Sequence, residues 1–164
     1  MGALKKLVPS ILGWLNVVVV LALAPTIETY NGHVTTNVAA ATNSSYMIGM
    51  TAIDDFAGFL MILVLLVGAG VFAVGGMRNK NYTVSDMLTS IGSIIVSIVA
   101  LAMFSGSIIS YIDSLITAGS GFAKTAYGII PIILYITIIA GAGIVQAVKG
   151  ARSGRKRTSR ARYM

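Results

Sequence analysis

Residues 88–118 read "LTSIGSIIVSIVALAMFSGSIISYIDSLITA", a run of 31 positions in which Asp113 is the one charged residue. A helix rises about 1.5 Å per residue, so roughly 20 apolar residues cross a hydrocarbon core of about 30 Å. As one straight helix this run would reach about 46 Å. It must therefore tilt strongly, project from the bilayer or break near Gly106. Three further apolar runs extend from Leu7 to Ala24, from Phe56 to Met77 and from Phe122 to Val148. The last two have spanning length, whereas the first is marginal, with Pro9 in its first turn and Trp14 and Asn16 inside it. Composition agrees with this pattern. Hydrophobic residues make up 56% of the 164, charged residues 10%, and the mean hydropathy is +0.87, far from a soluble domain with about 25% charged residues. The expected fold is an all-α integral membrane protein with four transmembrane helices.

Charge orients these spans. The net +7 is carried by the last segment alone: Lys149, Arg152, Arg155, Lys156, Arg157, Arg160 and Arg162 stand unopposed, while Lys5, Lys6, Arg78, Lys80 and Lys124 balance Glu28, Asp54, Asp55, Asp86 and Asp113. Positive loops stay on the cytoplasmic side. With four spans, Lys5 and Lys6, the pair Arg78 and Lys80, and the tail all fall on one side; only Lys124 departs from the rule. Both termini are expected inside, in a cell membrane or a virion envelope.

The first run also resembles a secretory signal, because Lys5 and Lys6 precede a hydrophobic stretch that ends in "ALA" before Pro25. Cleavage after residue 25 or 42 would leave three spans. On this reading the chain divides into an N-terminal membrane helix or signal anchor over 1–25, an external polar loop over 26–53, a three-helix bundle over 54–148 and a basic tail over 149–164. Within the loop, "IETYNGHVTT" sets Asn31-Gly32 between alternating β-formers, the signal of a two-residue hairpin, so a small outer β-hairpin is expected. Asn43-Ser44-Ser45 fits a glycosylation acceptor.

Small residues recur at packing intervals. Ser93 and Ser97 form one stripe on the third run, and Ala102, Gly106 and Ser110 form another. The fourth run carries Ala140, Gly143 and Ala147, and the second carries Gly68 and Gly70. In a bilayer, close approach through small side chains drives helices together. Two stripes on one helix exceed the need of a single neighbour, which points to contacts between copies as well as within the chain.

Among charged groups, Asp54 and Asp55 suit the positive end of a helix dipole at the start of the second helix, and Asp86 does the same for the third, with Thr83 or Ser85 as its cap. An acid within a span is a functional candidate by default. For Asp113 the expected partner is Lys124, across the turn around Gly119 to Gly121.

Reactive chemistry is missing. There is no Cys, so thiolate metal sites and cysteine nucleophiles are excluded, and a lone histidine, His33, cannot complete a metal site. No H-E-x-x-H, P-loop or G-x-S-x-G motif occurs. No enzyme and no cofactor are expected. Topology needs only two or three of the seven tail charges. The excess, interleaved with Gly, Ser and Thr in a flexible strand, suits anionic lipid or nucleic-acid phosphates.

From Asp54 to Ala118 an acidic start, a Gly-rich helix, the short basic loop "GGMRNKN" and a Gly/Ser-rich helix follow one another. This layout resembles conjugative pilins of type IV secretion systems and the helical-hairpin coat proteins of archaeal spindle-shaped viruses. The resemblance implies a subunit that assembles with itself. The fourth helix and tail depart from the pilin layout and suit a coat whose inward tail meets a genome. The leading expectation is thus a self-assembling membrane structural subunit that contacts itself, lipid and, through the tail, nucleic acid. Alternatives are a pore-forming protein such as a holin and an accessory subunit that meets other membrane proteins.

Overall fold

A computed structural model of the chain describes residues 4–53, 55–78 and 83–160. Five α-helices follow in order: α1 (Leu4–Ala40), α2 (Asp55–Arg78), α3 (Val84–Met103), α4 (Ile109–Ala118) and α5 (Phe122–Arg160). A π-helical turn over Phe104–Ile108 joins α3 to α4 without ending the helix, and two 3₁₀ turns, Ser44–Tyr46 and Met50–Ala52, lie between α1 and α2. Four stretches are long and apolar enough to cross a membrane: Ser10–Ala40, Ala57–Gly75, Val84–Ala118 and Phe122–Lys149. The long third run is therefore one continuous helical stretch with a widened turn around Gly106, long and apolar enough to cross a membrane.

α1 overturns the expected hairpin. No strand occurs among the described residues, and "IETYNGHVTT" lies inside a 37-residue helix that runs through residue 25 without a boundary. Two features explain why helix wins over the turn signal. Val20, Ile27, Asn31, Val34 and Val38 are all buried and recur at helical intervals, so the segment has a core face. The Thr hydroxyls that would favour a sheet donate back to helical carbonyls instead: Thr29 to Pro25 at 2.9 Å, and Thr35 and Thr36 both to Gly32 at 2.8 Å.

The tail also differs from expectation. α5 continues from its apolar stretch through Arg160, so the basic segment is helical up to that residue rather than a flexible strand. Propagating an existing helix is far easier than nucleating one, and Ala, Arg and Lys are good helix formers. Pro131 sits inside the same helix.

At the start of α3 the alternative left open by the sequence is resolved in favour of Thr83. Its hydroxyl accepts the Asp86 N–H at 3.3 Å, and the Asp86 carboxylate accepts the Thr83 N–H at 3.0 Å and the Thr83 hydroxyl at 2.8 Å. This is a capping box with Asp in place of Glu. α2 begins at Asp55, and Asp54 lies outside the described residues.

The residues fall into two compact units. A tail-side unit comprises Met1–Leu23, Ile62–Val96 and Gly141–Met164; a loop-side unit comprises Ala24–Met61 and Ser97–Ala140. Leu65, Phe72 and Ile94 are core residues of the first, and Ile27, Leu101, Phe104, Ile109 and Ile116 of the second. The exteriors carry exposed apolar side chains, Val18, Val67 and Val96 in one unit and Met103 and Ile133 in the other, each more than half exposed. That arrangement suits lipid rather than water as the surrounding medium.

Candidate functional site

In the loop-side unit Asp113 binds the turn that follows α1. Its carboxylate accepts the backbone N–H of Asn43 at 2.8 Å and of Thr42 at 3.2 Å, and the Asn43 carboxamide donates to it at 3.1 Å and to the Thr117 hydroxyl at 2.8 Å. The carboxylate thus takes up the two backbone N–H groups of Thr42 and Asn43 just beyond the end of α1. The expected ion pair with Lys124 does not form: no salt bridge joins them among the described residues, and the Lys124 ammonium instead lies 4.2 Å from the centre of the Tyr46 ring. Turn N–H groups satisfy the acid, and an aromatic face satisfies the cation. Asn43 is buried with its amide nitrogen engaged, so in this fold it does not present that nitrogen for glycosylation.

The segment after this turn closes over the same unit. Met47 and Met50 are buried, and the Ile48 N–H donates to the Gly128 carbonyl at 3.1 Å. A Cβ on Gly128 would lie 2.0 Å from the Tyr46 carbonyl oxygen, so only glycine admits this crossing. Deeper in the unit, the Tyr135 hydroxyl donates to the Asn31 carboxamide oxygen and the Asn37 carboxamide to the Ser105 carbonyl. The second bond lies within the π turn, where widened geometry displaces carbonyls from their helical partners; Asn37 supplies a substitute.

Beside the π turn lies a groove of about 530 Å³, lined by Asn37, Ala40 and Ala41 of the α1 side and by Gly106, Ile109, Ser110, Asp113 and Ser114. Gly106, Ser110 and Ser114 are exposed and four residues apart. A Cβ built at Gly106 would meet nothing within 4 Å. The second small-residue stripe therefore faces outward here, whereas Ser97 of the first stripe is buried in the chain.

The other packing residues separate in the same way. Gly68 and Gly143 meet in the tail-side unit: a Cβ on Gly68 would lie 2.7 Å from the Gly143 carbonyl oxygen, and one on Gly143 would lie 2.4 Å from Val64 Cγ1. Gly70 touches nothing at that range, and Ser93 turns back to the Ser90 carbonyl at 2.6 Å. Ala102, Ala140 and Ala147 are partly exposed. Of the tail residues, Lys149 is partly exposed, Arg152, Arg155, Lys156, Arg157 and Arg160 lie on the helical extension of α5, and Arg162 lies outside the described residues.

The sequence pattern gave no sign of three of the loop-side bonds, because the partners of Asn31, Asn37 and Asn43 are remote in the chain. Gln146, Asn16 and Ser90, all fully buried in the tail-side unit, leave five side-chain polar atoms with no hydrogen-bond partner among the described residues. No protein-family model, curated protein or solved structure matches this chain.

Proposed function

We propose that the chain is a non-enzymatic, self-assembling membrane structural subunit whose basic tail contacts an anionic surface, either lipid headgroups or nucleic acid. The observation that carries this reading is the groove beside the π turn. Besides Asn37, Ile109 and Asp113 it gathers Gly106, Ser110, Ser114, Ala40 and Ala41, and it has room where a Gly106 side chain would stand. Small residues on a lipid-facing surface admit a second helix backbone closely, and exposed Ser hydroxyls can bond across such a contact. The tail adds a cationic rod rather than a loose strand, since α5 carries its charges onward as helix to Arg160. On this reading the tail faces the cytoplasm or virion interior.

The test fills the groove. Gly106→Leu and Ser110→Leu should abolish most crosslinked oligomers of the protein in native-like lipid, while a change on the opposite stripe, Ser93→Ala, should not. An oligomer distribution unchanged by both Leu variants would remove the groove from any self-contact. For the tail, replacing Arg155, Lys156 and Arg157 with Gln should weaken binding to anionic vesicles or DNA and flatten its salt dependence. Binding to only one of these surfaces identifies the anion.

A pore is the second reading: Asn16, Ser90 and Gln146 put fully buried polar groups inside stretches long and apolar enough to span a membrane, and they would line a passage if the bundle opens. Dye release from reconstituted vesicles distinguishes it from a closed structural subunit.

A further inference from the structure

The tail-side unit holds three fully buried polar side chains without hydrogen-bond partners among the described residues: Asn16 on α1, Ser90 on α3 and Gln146 on α5. All three lie within stretches apolar and long enough to span a membrane. Polar groups in that environment are costly unless they are hydrogen-bonded, so what they face matters.

Contacts along α2 place two of them together. Gly13 of α1 packs on Ala73, and Gly143 of α5 packs on Val64 and Gly68. Positions on a helix advance by about 100°, so Gly68 and Ala73 stand about 140° apart around α2. Leu65, Ala69 and Phe72, all buried, fill the arc between those two lines. α1 and α5 thus border the same interior face. α1 opposes α2 in direction, since Gly13 meets Ala73 whereas Asn31 lies against Gly58; the short connections from α2 to α3 and from α4 to α5 make those neighbours antiparallel, so α5 accompanies α2. Asn16, three residues beyond Gly13, then comes level with about residue 70 of α2; Gln146, three beyond Gly143, comes level with about residues 67–71. Ala69 is the side chain of α2 at this depth, and it is small. Ser90, counted from the neighbouring helix ends Arg78 and Val84, reaches within about one turn of the same level.

We infer that Asn16, Ser90 and Gln146 form an internal hydration site against Ala69, binding one or more water molecules inside the bundle. The chemistry selects water over other ligands. Two carboxamides and a hydroxyl offer both donors and acceptors and no net charge, and no Asp, Glu, Lys or Arg is among them. An ion would lack a counter-charge, whereas a water molecule that makes about three hydrogen bonds matches this set. The inference does not depend on self-assembly.

The test uses the intact protein in lipid nanodiscs, deuterated and labelled with ¹⁵N at Asn and Gln, with water itself as the probe. The carboxamide signals are assigned by their loss in Asn16→Leu and Gln146→Leu, or in Gln146→Met if the Leu variant does not fold. Both carboxamides should show cross-relaxation from water with the sign of a long-lived bound molecule, distinct from proton exchange. Ser90→Ala, which removes one of about three partners, should weaken that transfer about twofold. Contacts from both carboxamides to protein protons alone, or a transfer unchanged by Ser90→Ala, would overturn the three-residue site.

Discussion

Asn16 and Asn31 sit on the same helix, both buried and both on its core side, yet they meet opposite surroundings. Asn31 accepts a hydrogen bond from the Tyr135 hydroxyl, while Asn16 leaves both ends of its carboxamide without a partner among the described residues. The contrast extends to the units they belong to. In the loop-side unit, Asn37, Asn43 and Asp113 are each hydrogen-bonded across elements. In the tail-side unit, backbones close directly on each other at Gly68 and Gly143, and the buried polar side chains Asn16, Ser90 and Gln146 make no hydrogen bond among the described residues. Two different means of joining helices thus stand out in one chain: side-chain polar bonds between elements in one unit, and close approach of two helix backbones in the other.

The most severe way to break this contrast is at Gly143. A Cβ there would lie 2.4 Å from Val64 Cγ1 and 2.9 Å from the Val64 carbonyl oxygen, and the second neighbour is backbone that cannot turn aside. Gly143→Leu should destabilise the protein by about 3 kcal/mol or more through overpacking, read as a lower midpoint in denaturant titration of the detergent-solubilised protein. Gly70→Ala, on the same helix as Gly68 but with open space around it, should leave the midpoint nearly unchanged. Equal effects of the two changes would show that close approach does not hold this unit.

A smaller effect should appear where polar bonds do the holding. Asn31→Leu strands the buried Tyr135 hydroxyl, and leaving one partner unsatisfied costs about 1–3 kcal/mol. Adding Tyr135→Phe should recover part of that loss, because the stranded group is then gone. A double-mutant cycle over the pair measures the coupling; additive effects would mean that the bond contributes no stability of its own.

These two kinds of contact also differ in how far the sequence reveals them. The four spans are legible from apolar run length, and Gly68 and Gly143 from small-residue spacing, because both are properties of one segment. The extent of α1 is not. Its Asn31-Gly32 pair carries a strong local turn signal, and the helix prevails through burial of a face that includes Asn31, bonded to the remote Tyr135, and through Thr hydroxyls that bond back to helical carbonyls. The buried stripe Val20, Ile27, Asn31, Val34 and Val38 is visible in hindsight as helical periodicity, weakened by an asparagine in its middle. Asp113 and Lys124 illustrate the same limit. Opposite charges near one turn suggest a pair, but the turn N–H groups at Thr42 and Asn43 come from about seventy residues away in the chain. Backbone donors do not show in a pattern of side-chain charges.

The mildest change sharpens the contrast most. Replacing Asn16 with Leu removes an amide that has no partner among the described residues, so none of their groups is stranded by its loss. The two asparagines should therefore respond unequally: Asn31→Leu costs about 1–3 kcal/mol, whereas Asn16→Leu changes stability by less than about 1 kcal/mol in either direction. The sign carries further information. A water bound at Asn16 would retain Ser90 and Gln146 as partners, and Leu would replace its third bond with apolar contact, leaving a small net loss. If Asn16→Leu cost as much as Asn31→Leu, then Asn16 would have a strong protein partner, and the difference between the two units would lie in helix packing alone.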